Sequence, residues 1–170
     1  MDFIDVIKNR RSIREYSDKP VPDDALNHVL EAARLAPSGK NAQAWKFVVI
    51  RDAAKRQKLA EAANQPFIGK APVIIAPVAL TPERLMLCGV PSYAVDMGIA
   101  MEHIVLAAFN EGLGTCWIGA FSQEKAREAL GVPDKYRVVT VMPLGYPAQN
   151  PAARPRKSLE EIVCYDTFRE

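Results

Sequence analysis

The sequence predicts one α+β domain, in which helices cover both faces of a central sheet. Three observations lead to this fold class. Segments of helical periodicity alternate with short runs of strand length. The run from Val73 to Leu80 is apolar throughout, as in a strand that is covered on both faces. The length of 170 residues suits a single domain over 1–170, and no repeat or low-complexity linker divides it.

The helices are predicted from apolar spacing and from residues that favour helix ends. Asp23 and Asp24 suit a helix N-terminus, and Ser158 with Glu161 matches a capping box. The predicted helices cover 2–9, about 23–36, 53–63, 92–111, 122–130 and a short stretch after Ser158. Apolar residues surround the helix at 92–111, so it is expected to be buried on more than one side, and a second subunit could supply one burying surface.

Four strands are predicted between these helices. Their ranges are 45–50, 73–80, 115–118 and about 136–146. The last strand precedes a tail that is rich in proline and arginine.

Charge and composition argue against several classes of protein. The net charge of +2 is too small to favour nucleic acid or an anionic membrane surface as a partner. No apolar run approaches the roughly 20 residues of a membrane-spanning helix. The N-terminus lacks a signal-peptide core, so a cytoplasmic protein is expected.

The cysteines and histidines do not predict a metal site. The three cysteines are scattered, which argues against a disulfide framework and for a reducing compartment. Neither C-x-x-C nor H-E-x-x-H occurs, so no protein-ligated metal is expected. Cys116 is interpreted as a small core residue rather than a redox thiol. Neither His28 nor His103 is assigned a catalytic role.

Familiar catalytic signatures are absent. The glycines of 112–119 lie before and within a predicted strand, whereas a dinucleotide fingerprint opens a helix. Gly39 and Lys40 lack the upstream glycine and the following Ser or Thr of a P-loop. No G-x-S-x-G elbow occurs. These absences disfavour a hydrolase, a kinase and a Rossmann dehydrogenase.

Two basic clusters lie near opposite ends of the chain. Arg10, Arg11, Ser12 and Arg14 directly follow the first helix and together suit a phosphate or another anion. The segment Arg154–Lys157 carries a second cluster, and its proline stiffens it. One phosphate could therefore be held from both ends of the chain. The alternatives are a solvated basic turn and a basic, partly disordered tail.

A third polar segment, PSGKNAQAW at 37–45, joins a predicted helix to a predicted strand. Its Ser, Asn and Gln side chains offer donors and acceptors that suit a heterocycle edge or ribityl hydroxyls. The alternative is an ordinary polar loop. Trp45 is interpreted as a core anchor rather than a platform for stacking.

Five segments, taken in order, resemble the nitroreductase family of FMN-dependent oxidoreductases over nearly the whole chain. These segments are RRSIREY, PSGKNAQAWKF, the helix with A-V-D-M-G-I-A, GLGTCWIGAF and RPRKSLEEIV. The resemblance implies a nitroreductase-like fold with a mainly antiparallel sheet. It also implies a homodimer, in which residues 148–170 form a C-terminal extension that packs on the partner subunit.

By the resemblance, most of the polar residues singled out above would contact FMN. One group would meet the phosphate and the ribityl chain: Arg10, Arg11, Ser12, Arg154 and Arg156. Arg14 matches a basic position near the pyrimidine end of the flavin. A loop would reach the flavin from the opposite subunit through Pro37, Ser38, Gly39, Asn41 and Gln43. A backbone segment would follow the ring: Trp117, Ile118, Gly119 and Ala120. Asn64 matches an amide near the ring.

The chain departs from the family pattern at three points. Ala44 replaces the proline that commonly precedes the loop tryptophan. Pro66 and Phe67 stand where some larger relatives have a lysine, which puts a second cation near the ring in doubt. The chain is also short, and inserted helices over the substrate pocket are not expected.

The resemblance implies a ping-pong cycle in which FMN carries the chemistry and no side chain is catalytic. NADH or NADPH would deliver hydride and leave. A small organic acceptor (a nitroaromatic, quinone, enone or flavin) would then take its place. Arg14 would favour hydride acceptance by the flavin, and the Gly119 amide would donate to N5. The alternatives are a specialised member, such as a dehalogenase or an enone reductase, and a non-catalytic, flavin-binding dimeric module.

Overall fold

Twelve helices and strands follow one another along residues 2–170, the part of the chain that the structure, a computed structural model, describes. They are α1 (Phe3–Asn9), α2 (Asp23–Arg34), β1 (Trp45–Ile50), α3 (Ala53–Ala63), α4 (Phe67–Lys70), β2 (Val73–Ala79), α5 (Ser92–Asn110), β3 (Gly114–Thr115), α6 (Gln123–Leu130), β4 (Arg137–Val138), β5 (Met142–Gly145) and α7 (Leu159–Ile162). A 3-10 turn at Gly39–Asn41 lies between α2 and β1.

The five strands form one antiparallel sheet, as expected. Its order is β1-β2-β5-β3, and β4 pairs with β2 beside β5. Strand β2 is central, and all seven of its residues are buried. The apolar run that predicted a strand covered on both faces therefore lies at the middle of the sheet.

Helices cover both faces of the sheet, because successive side chains of β2 point to opposite sides. Val73 and Ile75 face the helices α2 and α5 in one apolar cluster. Ile74, Ala76 and Val78 face α3, α4 and α6 in the other. The predicted α+β fold class, with helices on both sides of the sheet, is confirmed.

Contrary to the expectation from the sequence, helix α5 is long and apolar enough to cross a membrane, with a mean hydropathy of 1.2. In the fold it packs against α2 and the sheet, and Met101 and Ile104 have no exposed surface. The core helix of a globular domain has these same properties. Val95, on the same helix, is 39% exposed. The protomer alone therefore does not bury this helix on all sides.

The helix boundaries follow the local signals closely. Ser122 accepts a hydrogen bond from the Lys125 N–H at the start of α6, and Gly131 ends that helix with φ 66°. Ser158 and Glu161 form the predicted capping box. Helix α2 ends at Arg34, before the predicted stop at Pro37. The residue that precedes a proline avoids the α conformation, so the helix ends early.

Two predicted strands are shorter than expected, and one helix was missed. The predicted strand 136–146 is broken into β4 and β5, and the predicted strand 115–118 reduces to β3 and an isolated pairing of Ile118 with Val141. Pro77 of β2 lies opposite the break; its carbonyl accepts from the Val139 N–H at 2.9 Å, but it has no N–H to return a hydrogen bond. Helix α4 is a single turn that follows Pro66, and it lacks the length that makes periodicity visible.

The segment between α1 and α2 adds to the sheet edge and joins both ends of the chain. Ser12 pairs in parallel with Thr115, and the Ile13 N–H donates to the Thr115 carbonyl at 2.8 Å. Farther along, the Ser17 N–H donates to the Tyr146 carbonyl at 3.0 Å. The arginines of this segment therefore lie beside the chain that leaves β5 toward the C-terminus.

Close packing fixes this segment against the sheet. Ile13 is buried and occupies the space where any residue larger than Gly114 would place its Cβ atom. Gly114 therefore permits the close approach that the pairing of Ser12 with Thr115 requires.

Candidate functional site

The two ends of the chain line an open cavity of about 610 Å³. Its wall carries six cationic side chains, which we call the cation cluster: Lys8, Arg10, Arg11, Arg14, Arg154 and Arg156. The rest of the wall is formed by Ile7, Ser12, Pro151, Ala152 and Ala153. The structure thus brings together the basic residues that the sequence placed near opposite ends of the chain.

The cation cluster forms no ion pair within residues 2–170, and the nearest carboxyl that its charge affects is Glu102, where Arg10 opposes the rise in pKa that burial causes. Among residues 2–170, none of its six members forms an ion pair within 4 Å, and no carboxylate lines the cavity. Like charges that share one cavity repel each other, and a polyvalent anion relieves that repulsion. Guanidinium groups offer paired N–H donors that match phosphate oxygens. The donor set therefore fits a phosphate group.

Local structure holds the first arginines in place at the end of α1. The Arg10 N–H donates to the Val6 carbonyl at 3.0 Å, which closes the helix. The Arg11 guanidinium donates to the Lys8 carbonyl at 2.7 Å and to the Arg10 carbonyl at 3.0 Å. Positive charge at a helix C-terminus is favourable, because the helix dipole is negative there.

Two side chains lie near the arginines: Cys116, which is buried, and Tyr16, which is partly buried. The Tyr16 hydroxyl donates to the Ile13 carbonyl at 2.7 Å, and burial raises the pKa of this phenol. Cys116 is 2% exposed, and burial raises the pKa of its thiol, although the nearby guanidiniums of Arg14 and Arg10 oppose that rise. Cys116 is therefore a core residue, as predicted.

Three of the four residues in the segment 117–120 lie on the surface, and Ile118 anchors the segment to the sheet. Ile118 is buried and fixed, because its carbonyl accepts from the Val141 N–H at 3.0 Å and from the Thr140 hydroxyl at 2.8 Å. Its neighbours Trp117, Gly119 and Ala120 are exposed. Within residues 2–170 the Gly119 N–H has no protein acceptor, so it can donate to a ligand.

The loop 37–43 carries an unusual amount of backbone strain. Lys40, Asn41 and Gln43 have φ values of 57°, 53° and 46°, in the left-handed region. Each such residue other than glycine costs about 1–3 kcal/mol, and these conformations concentrate at functional sites. The loop is polar and mainly exposed.

Specific hydrogen bonds hold the loop in this shape. The Gly39 N–H donates to the Asp96 carboxylate of α5 at 2.9 Å. The Gln43 N–H donates to the Ser38 hydroxyl at 3.0 Å, and the Gln43 side chain donates to the Asn41 side-chain oxygen at 3.1 Å. The hydrogen bond from Gly39 to Asp96 ties the loop to helix α5.

The structure does not bring every predicted site residue to the cation cluster. The loop 37–43 lines no part of the cavity, and neither does Asn64, which ends α3 in the left-handed conformation. The segment 117–120 is linked to the arginine segment through the pairing of Ser12 with Thr115. Trp45 is half-buried and lies beside Phe47, with ring centroids 6.1 Å apart.

Two residues of this region were not singled out from the sequence. Lys8 adds a cation to the cavity from the last turn of α1, and its closeness to Arg10 was an available signal. Asp96 anchors the loop 37–43 from α5. Its signal was that it is the one acidic residue between 92 and 101, in an otherwise mainly apolar stretch.

Comparisons with known proteins agree on one family. A model of the nitroreductase family matches residues 7–72 and 61–146. A solved nitroreductase family protein from Clostridium novyi NT is 40% identical, with a TM-score of 0.81 over 86% of this chain and 87% of that one.

Two further relatives carry functional names. The FMN reductase (NAD(P)H) of Bacillus subtilis is 31% identical over 185 residues, which cover 98% of this chain and 74% of that protein. The NADPH:FMN oxidoreductase of Vibrio harveyi, solved in complex with NAD+, is 29% identical. Its TM-score is 0.90 over 99% of this chain and 78% of that chain.

We expect Asp96→Ala to loosen the loop 37–43, because the Gly39 N–H loses its acceptor and the strained residues relax. Loss of a charge-assisted hydrogen bond should speed tryptic cleavage after Lys40 by about tenfold or more. Cleavage at this bond, compared with other sites by mass spectrometry, measures the effect. Asp96→Asn keeps an acceptor oxygen and is the matched control. Equal cleavage of the two variants would contradict the anchoring role.

Proposed function

The chain belongs to the nitroreductase family, and on that premise we propose that it is an FMN-dependent oxidoreductase that uses NADH or NADPH to reduce small organic molecules. The cation cluster carries this proposal. Six cations from both ends of the chain share one cavity and have no ion-pair partner within residues 2–170. An ordinary basic turn or a solvated tail does not require this convergence.

The cavity would bind the phosphate group of FMN. A phosphate monoester carries nearly two negative charges and three acceptor oxygens, so it can accept from several guanidiniums at once. The residues that would hold it are Arg10, Arg11, Ser12, Arg154 and Arg156. The names of the Bacillus and Vibrio relatives point to the same pairing of FMN with a nicotinamide nucleotide.

The chain also has groups that could contact the flavin ring. When bound, FMN supplies the hydride chemistry between a nicotinamide nucleotide and a small organic acceptor. The free Gly119 N–H would donate to the ring edge, and the segment 117–120 would lie along it. Arg14 would place a cation near the pyrimidine end, where it favours negative charge. The protein thus binds and orients, and no side chain is needed as an acid or base.

We propose that the active form is a homodimer. Apolar side chains at both ends of the chain are exposed in the protomer, among them Phe3 (64%), Leu159 (75%) and Phe168 (84%). Exposed apolar clusters of this kind mark association surfaces. The extension 148–170 would pack on the partner subunit, together with the uncovered side of α5.

The dimer gives the loop 37–43 a place in the site. This loop is strained and held rigidly, as binding loops often are, but it lines no part of its own protomer's cation cavity. We propose that Pro37, Ser38, Gly39, Asn41 and Gln43 reach the flavin of the partner subunit. Asn64 would complete the ring site with its side-chain amide.

We also propose a cytoplasmic location. Cys88, Cys116 and Cys164 are all unpaired in the protomer. Free thiols of this number are typical of a reducing compartment, where disulfides do not persist.

We expect the purified protein to be yellow, to release FMN on denaturation, and to oxidise NADH or NADPH with a nitroaromatic, quinone or enone acceptor. Steady-state oxidation of each nucleotide with each acceptor measures this, and flavin-free protein is the control. Flavin-loaded protein without turnover would instead indicate a non-catalytic, flavin-binding module.

Arg10→Ala and Arg156→Ala should each weaken FMN binding by about 1.5–3 kcal/mol, because each removes charge-assisted hydrogen bonds to the phosphate. Titration of flavin-free protein with FMN measures the loss. Arg34→Ala is the control, since Arg34 is exposed on α2 and pairs with Glu31. Wild-type FMN affinity in both cavity variants would show that the phosphate lies elsewhere.

Mixed dimers test whether one site draws on two subunits. One protomer carries Arg10→Ala with Arg156→Ala, and the other carries Ser38→Ala with Asn41→Ala. If the loop acts across the interface, one of the two sites in the mixed dimer is built wholly from native residues. We therefore expect one FMN per dimer to bind with wild-type affinity.

Differently tagged protomers, purified through both tags, provide the mixed dimer, and each parent homodimer is a control. A site built within one protomer predicts a different outcome, because both sites of the mixed dimer would then be damaged. Absence of any tight FMN site in the mixed dimer would contradict the shared arrangement.

A further inference from the structure

We propose that Gln149 is a positioning residue that fixes Arg14 in the cation cavity by binding the backbone of the arginine segment. The inference rests on the proposed function, since it assigns a role in holding the flavin. Its starting point is a side-chain contact between the two ends of the chain that no sequence motif indicated.

The Gln149 amide lies against two consecutive backbone donors. With the amide oriented so that its oxygen faces these donors, that oxygen accepts from the Arg14 N–H at 2.5 Å and from the Glu15 N–H at 3.1 Å. An NH2 group can only donate, so the oxygen is the atom of this amide that can face both N–H groups. One side chain thus satisfies two adjacent backbone donors.

This contact continues the pairing of the two chain ends. The Ala148 N–H donates to the Glu15 carbonyl at 2.9 Å, directly before Gln149. Gln149 is partly buried and lines a smaller cavity of about 90 Å³ that also borders Arg10 and Arg11. Past Gln149 the tail leaves the sheet edge and lines the large cavity with Arg154 and Arg156.

Arg14 gains from such a constraint because its side chain extends into the open cavity. Its guanidinium is exposed and, within residues 2–170, makes no ion pair within 4 Å. A mobile arginine loses rotamer entropy when it binds a ligand. Fixing the backbone N–H groups of Arg14 and Glu15 limits the directions that this side chain can take, and so lowers the ordering cost.

The first experiment uses flavin-free protein and measures amide hydrogen exchange at Arg14 and Glu15 by NMR. Gln149→Met keeps the length of the side chain and removes its acceptor, so both amides should exchange roughly tenfold faster or more. Gln57→Met, on the exposed face of α3, is the control. Unchanged exchange at both amides in Gln149→Met would overturn the hydrogen bonds. If that variant does not fold, Gln149→Asn, which withdraws the oxygen by one methylene, replaces it.

The second experiment is a double-mutant cycle on FMN affinity. We expect Gln149→Met to weaken FMN binding by about three- to tenfold. In an Arg14→Ala background the same change should have little further effect, because there is no guanidinium left to position. If the double variant instead loses FMN affinity by the product of the two single-variant losses, the positioning role is overturned. Failure of the wild type to bind FMN would count against the proposed function, and the exchange experiment would then decide the inference alone.

Discussion

The pairing of the segment after α1 with the chain that leaves β5 is the constraint on which the whole site depends. It fixes Ser12 beside Thr115 and Ser17 beside Tyr146, and it brings arginines from both termini to one cavity. Holding six like charges together is unfavourable without an anion. A dianionic phosphate reduces this repulsion, so cofactor binding and the stability of the folded chain are coupled.

The fold separates rigid support from binding groups. Strand β2 and helix α5 form a buried centre that contributes no cation to the cavity. The proposed ligands lie mainly on segments that connect or extend the helices and strands. Such segments are positioned by the core yet remain open to a ligand. Asp96 and Gln149 show how this is achieved, because each binds the backbone of a ligand-bearing segment rather than a ligand.

Much of the fold could be predicted from local signals. The limits of β1 and α3 agree with the predicted ranges, since apolar periodicity and flanking turn residues mark them. The break between β4 and β5 could not be predicted, because it depends on Pro77 in a neighbouring strand. In the site, the two basic clusters near opposite ends of the sequence predicted a shared anion site, and both line the cavity. The role of Gln149 carries no local signal, since a single amide acquires it only when distant residues meet.

The central claim is that one anion lies between guanidiniums from both ends of one chain. A crystal structure of the protein with bound flavin tests this most directly. The account predicts the phosphorus atom within about 4–5 Å of guanidinium nitrogens of both Arg10 and Arg156 of the same protomer, a separation set by N–H···O hydrogen bonds. A phosphate bound elsewhere, with these two side chains turned into solvent, would contradict it.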